Sequence, residues 1–441
     1  MYVTPAPSLN ELVADLGGES LSRAVSAPPA AGYVHWDKLR HLEPPEGVSH
    51  REWWLATKLA RRPLRRELPL KDADGAPFAY AVPDEAFRLL HYVDQRCSGE
   101  IAMAEVVTAD DQARGHYLVN SLMEEAIRSS QLEGATTSRR VAKELLRSHR
   151  VPTDRSERMI LNNYRGLQFM REMGDELSPG LVLELHRILT EGTLDNPDSA
   201  GRLQRHDEER VAVFDRLTGD PVHTPPPADQ LPRRLDALCD FANRREDDEE
   251  QFIHPVVRAI LVHFWVGYDH PFKDGNGRLA RALFYWCMRT RGYWLTEYLS
   301  ISRILRDAPA QYTRSFVLTE TDERDTTYFL LYHLQVIRRA VEELHDYLQR
   351  KIDEVRSVER LVRGSTHFNH RQLALLGHAV RESGHAYTMD GHAGSHGVTH
   401  ETARTDLADL TAKGLLTRRR QGRRFIFLPA SDIVDRLREL E

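Results

Sequence analysis

Residues 268–286 read YDHPFKDGNGRLARALFYW, and the fold turns on why this segment is so polar at its centre. On its N-terminal side, HPVVRAILVHFWVGYD (254–269) is apolar on nearly every side, and LARALFYWCMRT (279–290) repeats that character beyond it. Helices that are apolar all round belong in the middle of a bundle. The segment therefore joins two central helices, where a charged turn is a poor choice for stability alone. A mainly α, bundle-like core is the fold expected around it.

The polar centre supplies a consistent set of atoms. Gly275, Asn276 and Gly277 admit backbone conformations closed to most residues, so their N–H groups can converge on one anion. A helix beginning near Gly277 points its positive end at the same place. Arg278 and Arg281 lie three apart, on neighbouring parts of one helical face, and suit a forked clamp on phosphate oxygens. Asp274 is a hard oxygen donor suited to Mg2+, which binds phosphates through one or two carboxylates and keeps its waters. An imidazole such as His270 is suited to take a proton from a hydroxyl attacking phosphorus. These are the parts of a phosphoryl or nucleotidyl transfer centre. The spacing is not that of the GxxxxGK[ST] phosphate loop.

Length and composition bound the rest. A chain of 441 residues is long for a single core and suggests two or three domains. The net charge of −6 removes global basicity as an argument for nucleic acid, so any such role has to come from a local patch. Cys97, Cys239 and Cys287 lie far apart without CxxC spacing, which argues against a disulfide framework or zinc site and for a reducing compartment. The start, MYVTPAPSLNELVADLGGES, does not read as a signal peptide, and no apolar run approaches the length of a membrane span. The expectation is a soluble, cytoplasmic protein without a membrane partner.

Along the chain, residues 1–45 are rich in Pro, Ala, Ser and Gly and are expected to form a loosely ordered arm. Residues 46–115 read as a helical region with a small hairpin over 67–83, turning at Asp74-Gly75. Residues 116–350 read as the helical core, opening on HYLVNSLMEEAIRSSQLEG (116–134), a helix with Leu118, Leu122 and Ile127 along one side and Gly134 as its stop. Within that core, ERVAVFDRLTGDPVHTPPP (209–227) alternates Val211 and Val213, turns around Thr218 and Gly219 and ends in a proline run. That pattern reads as a projecting hairpin.

The last domain, 365–441, reads as helix, helix and a two-stranded basic hairpin, the order of a winged helix-turn-helix. Thr399 is its expected N-cap, with Leu407, Leu410 and Leu415 inward and Thr402, Arg404 and Thr405 outward. The wing carries Arg418, Arg419, Arg420, Arg423 and Arg424, suited to phosphate contacts. A module used for protein contacts is the alternative. His392, His396 and His400 have helical spacing, but Gly391, Gly394 and Gly397 are expected to break any helix there and leave a solvated loop.

HPFKDGNGRLAR resembles the Fic family signature, HxFx(D/E)GNGRxxR, at every defined position, and the resemblance extends over roughly residues 85–350. It implies a Fic-type helical bundle with a β-hairpin flap and transfer of AMP from ATP to a Tyr, Thr or Ser hydroxyl of a target protein. By that likeness His270 is the base, Asp274 holds Mg2+, Asn276 and the Gly275–Gly277 backbone form the α-phosphate anion hole, and Arg278 and Arg281 contact the outer phosphates. Phe272 is then a core anchor, and the 209–227 hairpin registers an extended target segment. Tyr312 is the candidate on the base side of the nucleotide, with a packing role as its alternative. SSQLEG (129–134) is similar to the family's inhibitory pattern, [S/T]xxxE[G/N], through Ser129, Glu133 and Gly134. A glutamate reaching Arg281 stands where phosphate oxygens need to sit.

The resemblance leaves other outcomes open. They are a DNA-binding regulator with a nucleotide-sensing core, removal rather than transfer of AMP, another nucleotide donor, self-modification and a homodimer.

Overall fold

The computed structural model describes residues 3–97, 111–148, 150–210, 213–214, 221–245, 252–364, 367–381, 385–421, 424–430 and 432–440. It is mainly helical, with three separate two-stranded antiparallel hairpins among the described residues. The chain divides into two compact units. One takes in the described residues of Met1–Ala102 and Gly115–Glu342, the other those of Met103–Arg114 and Glu343–Glu441.

The first unit opens with α1 (Leu9–Asp15), α2 (Gly18–Ser26), α3 (Trp36–Leu39) and α4 (His50–Arg61). The expected loose arm is thus an ordered part of this unit. Capping boxes at Ser8/Glu11 and Ser49/Glu52 start α1 and α4, a local signal that Pro- and Ser-rich composition hides. Leu12, Ala24, Leu39, Trp53 and Trp54 then form one buried cluster. Lys58 pairs with Asp322 at 2.5 Å and the Tyr33 hydroxyl donates to Asp325 at 2.6 Å, so the segment is tied to the far end of the unit. The hairpin β1 (Arg66–Lys71) and β2 (Pro77–Tyr80) turns through Gly75, at φ 88°, as the sequence leads one to expect.

Around the central pair run α5 (Asp84–Cys97), α6 (Asp111–Leu132), α7 (Arg139–Ser148), α8 (Arg155–Glu172), α9 (Pro179–Thr190) and α10 (Leu231–Asn243). The pair itself is α11 (Pro255–Asp269) and α12 (Asn276–Thr290). Along α11 every residue from Val256 to Val266 is buried, and along α12 so is every residue from Arg278 to Met288. That accounts for two runs with no polar face. Between α10 and α9, strands β3 (Val213–Phe214) and β4 (Pro221–His223) pair antiparallel, Val213 opposite His223. Val211, Thr218 and Gly219, expected to build this hairpin, lie outside the described residues. The unit continues through α13 (Ile301–Asp307) and α14 (Pro309–Glu320) into α15 (Thr327–Gly364). The division between units falls at Glu343, within α15, ahead of the edge expected at residue 365, which is not among the described residues. An unbroken helical pattern carries no boundary signal.

The second unit contains α16 (His370–Arg381), α17 (Met389–His396), α18 (His400–Ala412), β5 (Leu416–Gln421), β6 (Arg424–Pro429) and α19 (Ile433–Glu439). Leu376, Leu407, Leu410 and Leu415 are fully buried at its centre with Leu416 and Phe427 around them. Thr399 caps α18 by accepting from the Thr402 N–H. Helix α17 corrects the expected solvated loop. Each interior glycine costs about 1 kcal/mol against alanine. Thr388 caps the helix start, Gly397 closes it in the left-handed conformation, and His392 is buried with its Nε2 3.1 Å from Asp406. His400 meets Asp390 at 2.8 Å.

Candidate active site

The polar segment is built as a rigid turn. His270 follows α11 in the left-handed region, at φ 44° and ψ 53°, which folds its ring back against its own helix. Phe272 is fully buried and stacks on His186 of α9, ring centroids 3.7 Å apart. The Asn276 side chain closes the turn, accepting from the Phe272 N–H at 2.9 Å and donating to its carbonyl at 2.7 Å. Gly275 starts α12 at φ 87°, and a Cβ there would come within 2.6 Å of the Thr190 methyl. Here glycine is required twice, for the backbone and for the space.

His186 braces the loop from beneath. Its Nδ1 accepts from the Gly201 N–H at 3.0 Å, which leaves the hydrogen on Nε2 to donate to the Asp274 carbonyl at 2.8 Å. Burial pushes this imidazole down to about 4, so the neutral ring that the two bonds require is the stable one. Nothing local in LVLELHRILT distinguishes His186 from an ordinary packed histidine. The contact with the loop spans 88 positions.

The two arginines go separate ways. Arg278 has no exposure and its Nη1 donates to the Leu189 carbonyl at 2.8 Å, with Asp274 3.4 Å from Nη2. It therefore ties α12 to the end of α9 instead of standing beside Arg281 as a second prong. The Asn276 side chain is likewise engaged, by the Phe272 backbone. Arg281, 1 % exposed, donates from Nε to Ser129 Oγ at 2.9 Å, and from Nη2 to the Ser129 carbonyl at 3.1 Å and Glu133 Oε1 at 2.8 Å. A Cβ at Gly277 would collide with that Glu133 carboxylate. The carboxylate thus lies against the first turn of α12, where the helix end favours negative charge.

Glu133 stands just past α6, whose Glu125, Ser129 and Glu133 are spaced four apart and share a side. Glu125 is buried, and burial raises its carboxyl above the usual range. It accepts from Ser300 Oγ at 2.8 Å and the Ser302 N–H at 3.2 Å, and it also takes the Ser302 hydroxyl. Gly134, at φ 101°, ends the run.

His270, Asp274 and Tyr312 belong to the same unit as this pair. Withdrawal of the His270 ring from water pushes it down to about 4, so it is neutral near pH 7. Its Nδ1 faces the Gly267 carbonyl at 3.4 Å, which leaves the lone pair on Nε2. The Asp274 side chain is 42 % exposed at the rim, one oxygen accepting from the Gly275 N–H. Tyr312 is partly buried with its hydroxyl 2.9 Å from His263 Nε2, and its ring packs edge-on against Phe316. Thr402, Arg404, Arg418, Arg419 and Arg420 belong to the second unit, while Arg423 lies outside the described residues.

Among the described residues no three His, Cys, Asp or Glu side chains cluster as a metal site, and no helix is long and apolar enough to cross a membrane. Asp274 alone is a donor set that Mg2+ accepts when phosphates supply further oxygens.

Residues 176–288 match the model of the Fic/DOC family. The chain is 32 % identical over 102 residues to the protein adenylyltransferase Fic of Nematostella vectensis, covering 23 % of this chain and 20 % of that protein. It is 34 % identical over 119 residues to the protein adenylyltransferase fic-1 of Caenorhabditis elegans, covering 27 % of this chain and again 20 % of the relative. The chain thus spans about a fifth of the length of these curated relatives. A crystal structure of a Fic family protein from Desulfovibrio desulfuricans superposes with a TM-score of 0.52 at 19 % identity, covering 80 % of this chain and 98 % of that one. At that identity the likeness is one of fold.

Proposed function

Residues 176–288 form a Fic domain, and from that premise we propose that the chain is a protein adenylyltransferase held in check by its own Glu133. The observation that carries the reading is the Glu133 carboxylate on Arg281 and against Gly277, beside a neutral His270. A carboxylate in that position fills the place an anionic group of a nucleotide would take.

In the proposed reaction, His270 Nε2 takes the proton of a Tyr, Thr or Ser hydroxyl of the target protein. The freed oxygen attacks the α-phosphorus of ATP, and the bond to the bridging oxygen breaks as pyrophosphate leaves. The N–H groups at the start of α12 receive the negative charge of the α-phosphate oxygens, already oriented before substrate arrives. Asp274 is the residue that would hold Mg2+, which when bound supplies neutralisation of phosphate charge. Arg281, once released from Glu133, turns its fork to the outer phosphates. The β3–β4 hairpin is the element proposed to align the target segment.

Full-length Glu133→Gly protein incubated with [α-32P]ATP and with [γ-32P]ATP tests the reading. Label is expected on protein from the α-labelled donor alone, above the level of the parent chain, and to vanish on adding His270→Ala. Label from the γ-position, or no gain over the parent in a folded Glu133→Gly protein, overturns it.

A second reading concerns the other unit. The Arg418 guanidinium lies 4.7 Å from the centre of the 40 % exposed Phe425 ring, next to exposed Arg419 and Arg420. A basic, aromatic hairpin following a capped helix favours a winged helix-turn-helix on duplex DNA. Binding of the full chain to duplex that weakens steeply with salt supports this, and binding that ignores salt rejects it.

A further inference from the structure

α11 ends one residue before His270, so its last carbonyls lie beside the proposed base. A helix leaves its final four carbonyls without partners of its own. Here each is accounted for separately. The Val266 carbonyl accepts from the His270 N–H at 3.1 Å, and the Gly267 carbonyl faces His270 Nδ1 at 3.4 Å. The other two are taken from outside. The Tyr268 carbonyl accepts from His223 Nε2 at 2.6 Å, and the Asp269 carbonyl from Arg210 Nη2 at 2.6 Å.

Arg210 and His223 stand on the two stems of the β3–β4 hairpin. Arg210 also donates to the Pro226 carbonyl at 2.8 Å, which joins the stems, and to the side-chain oxygen of Gln204. Gln204 in turn gives its N–H to the Pro271 carbonyl at 2.9 Å and its amide to Phe272 at 3.2 Å. His223 is buried, with Nδ1 2.8 Å from Glu320 of α14. Its two partners are a carbonyl and a carboxylate, both acceptors, so the ring is held from two sides. Two side chains, one of them the Arg210 cation, thus meet the negative end of α11. Asp269 is fixed independently, its carboxylate taking Arg234 at 2.6 Å and the Trp265 indole at 2.9 Å.

A non-glycine residue in the left-handed region is costly and persists where its surroundings leave no alternative. We propose that Arg210 and His223, the latter backed by Glu320, are positioning residues for His270. They fix the peptide units between Tyr268 and His270, which keeps the ring turned back with its Nδ1 hydrogen on Gly267 and its Nε2 lone pair directed outward. The hairpin and the base are thereby one mechanical unit. The role assigned to Nε2 rests on the transferase reading above.

The test separates the two. In full-length protein carrying 15N-histidine, His270 is assigned by the signal lost in His270→Ala, and its 15N shifts report the tautomer. A single tautomer with the hydrogen on Nδ1 is expected, turning into a mixture in Arg210→Gln and in Glu320→Gln. In the Glu133→Gly background the same changes are expected to lower kcat by about 10²-fold with KM for ATP unchanged, the loss typical of a misplacement of about 1 Å. Arg210→Lys restores a large part of both. Glu320→Gln, nearly isosteric, keeps the question open to measurement should Arg210→Gln fail to fold. An unchanged tautomer in the folded variants overturns the proposal, whether or not the rate falls. If the Glu133→Gly background transfers no label at all, the transferase reading fails, while the tautomer still decides the positioning role.

Discussion

At the N-terminal end of α12 a carboxylate, Glu133, lies against Gly277 and Arg281. At the C-terminal end of α11, on the other side of the same turn, Arg210 and His223 take the carbonyls of Asp269 and Tyr268. At each end stands a charge of the sign the helix dipole favours, Glu133 at one and Arg210 at the other. They differ in what removal requires. The Glu133 side chain is 29 % exposed, lies just past a helix and makes one ion pair, and in the proposed function an incoming anion takes its place. Arg210 and His223 each hold several groups at once, and no ligand offers the same set. A helix end can therefore serve as a switch or as a fixture, according to how many bonds its cap must surrender.

That contrast can be broken in stages. The largest effect is expected at the residue both ends serve: His270→Ala should lower transfer by about 10²- to 10⁴-fold, the usual contribution of a positioned base, with ATP affinity nearly unchanged by equilibrium binding. Because its ring is pushed down to about 4, the rate should hold as pH falls through 6.5 and decline only towards 4. A pH–rate limb centred near 6.5 would contradict this. Next comes Glu133→Gly, which removes a charge-assisted bond of about 1.5–3 kcal/mol and should raise α-phosphate labelling roughly 10- to 150-fold. Ser129→Ala leaves the ion pair but takes one bond from Arg281. A gain of only about 2- to 10-fold is expected, from a bond of about 0.5–1.5 kcal/mol, and a gain equal to that of Glu133→Gly would mean the serine, not the carboxylate, sets the check.

A smaller effect, on stability, sharpens the other side. Burial pushes His186, like His270, down to about 4. Above about pH 6.5 neither folded nor unfolded chain protonates such a ring, and below it the unfolded chain does so first. Each histidine thus lowers stability as pH falls from about 6.5 to about 4. Thermal unfolding of His186→Gln protein should lose part of that slope, and a slope equal to the parent's would remove His186 from the account.

Much of this was legible in the residues. The nearly all-round apolarity of 254–269 and 279–290 required two central helices, and HPFKDGNGRLAR announced the turn between them. SSQLEG announced where an opposing carboxylate would come from. Other features carried a weak local signal or none. The helices of residues 1–45 depend on caps and on Trp53 and Trp54 arriving from α4. Helix α17 persists through its glycines because His392 finds Asp406. Arg278 and Arg281 share a spacing but not a fate, since one meets the Leu189 carbonyl and the other Ser129 and Glu133. His186, Arg210, His223 and Glu320 look ordinary in sequence, because what marks them is a partner far along the chain.

The sequence by itself determined the helical class, the turn and the kind of chemistry its side chains can support. Periodicity and the glycine, histidine and arginine spacing are local properties, written in consecutive residues. Tertiary structure decided which groups are free to act. Burial sets the His270 proton, Glu133 occupies the start of α12, and Arg210 and His223 close the end of α11. Those facts depend on desolvation and on partners up to 148 positions away, and neither is encoded in any one stretch.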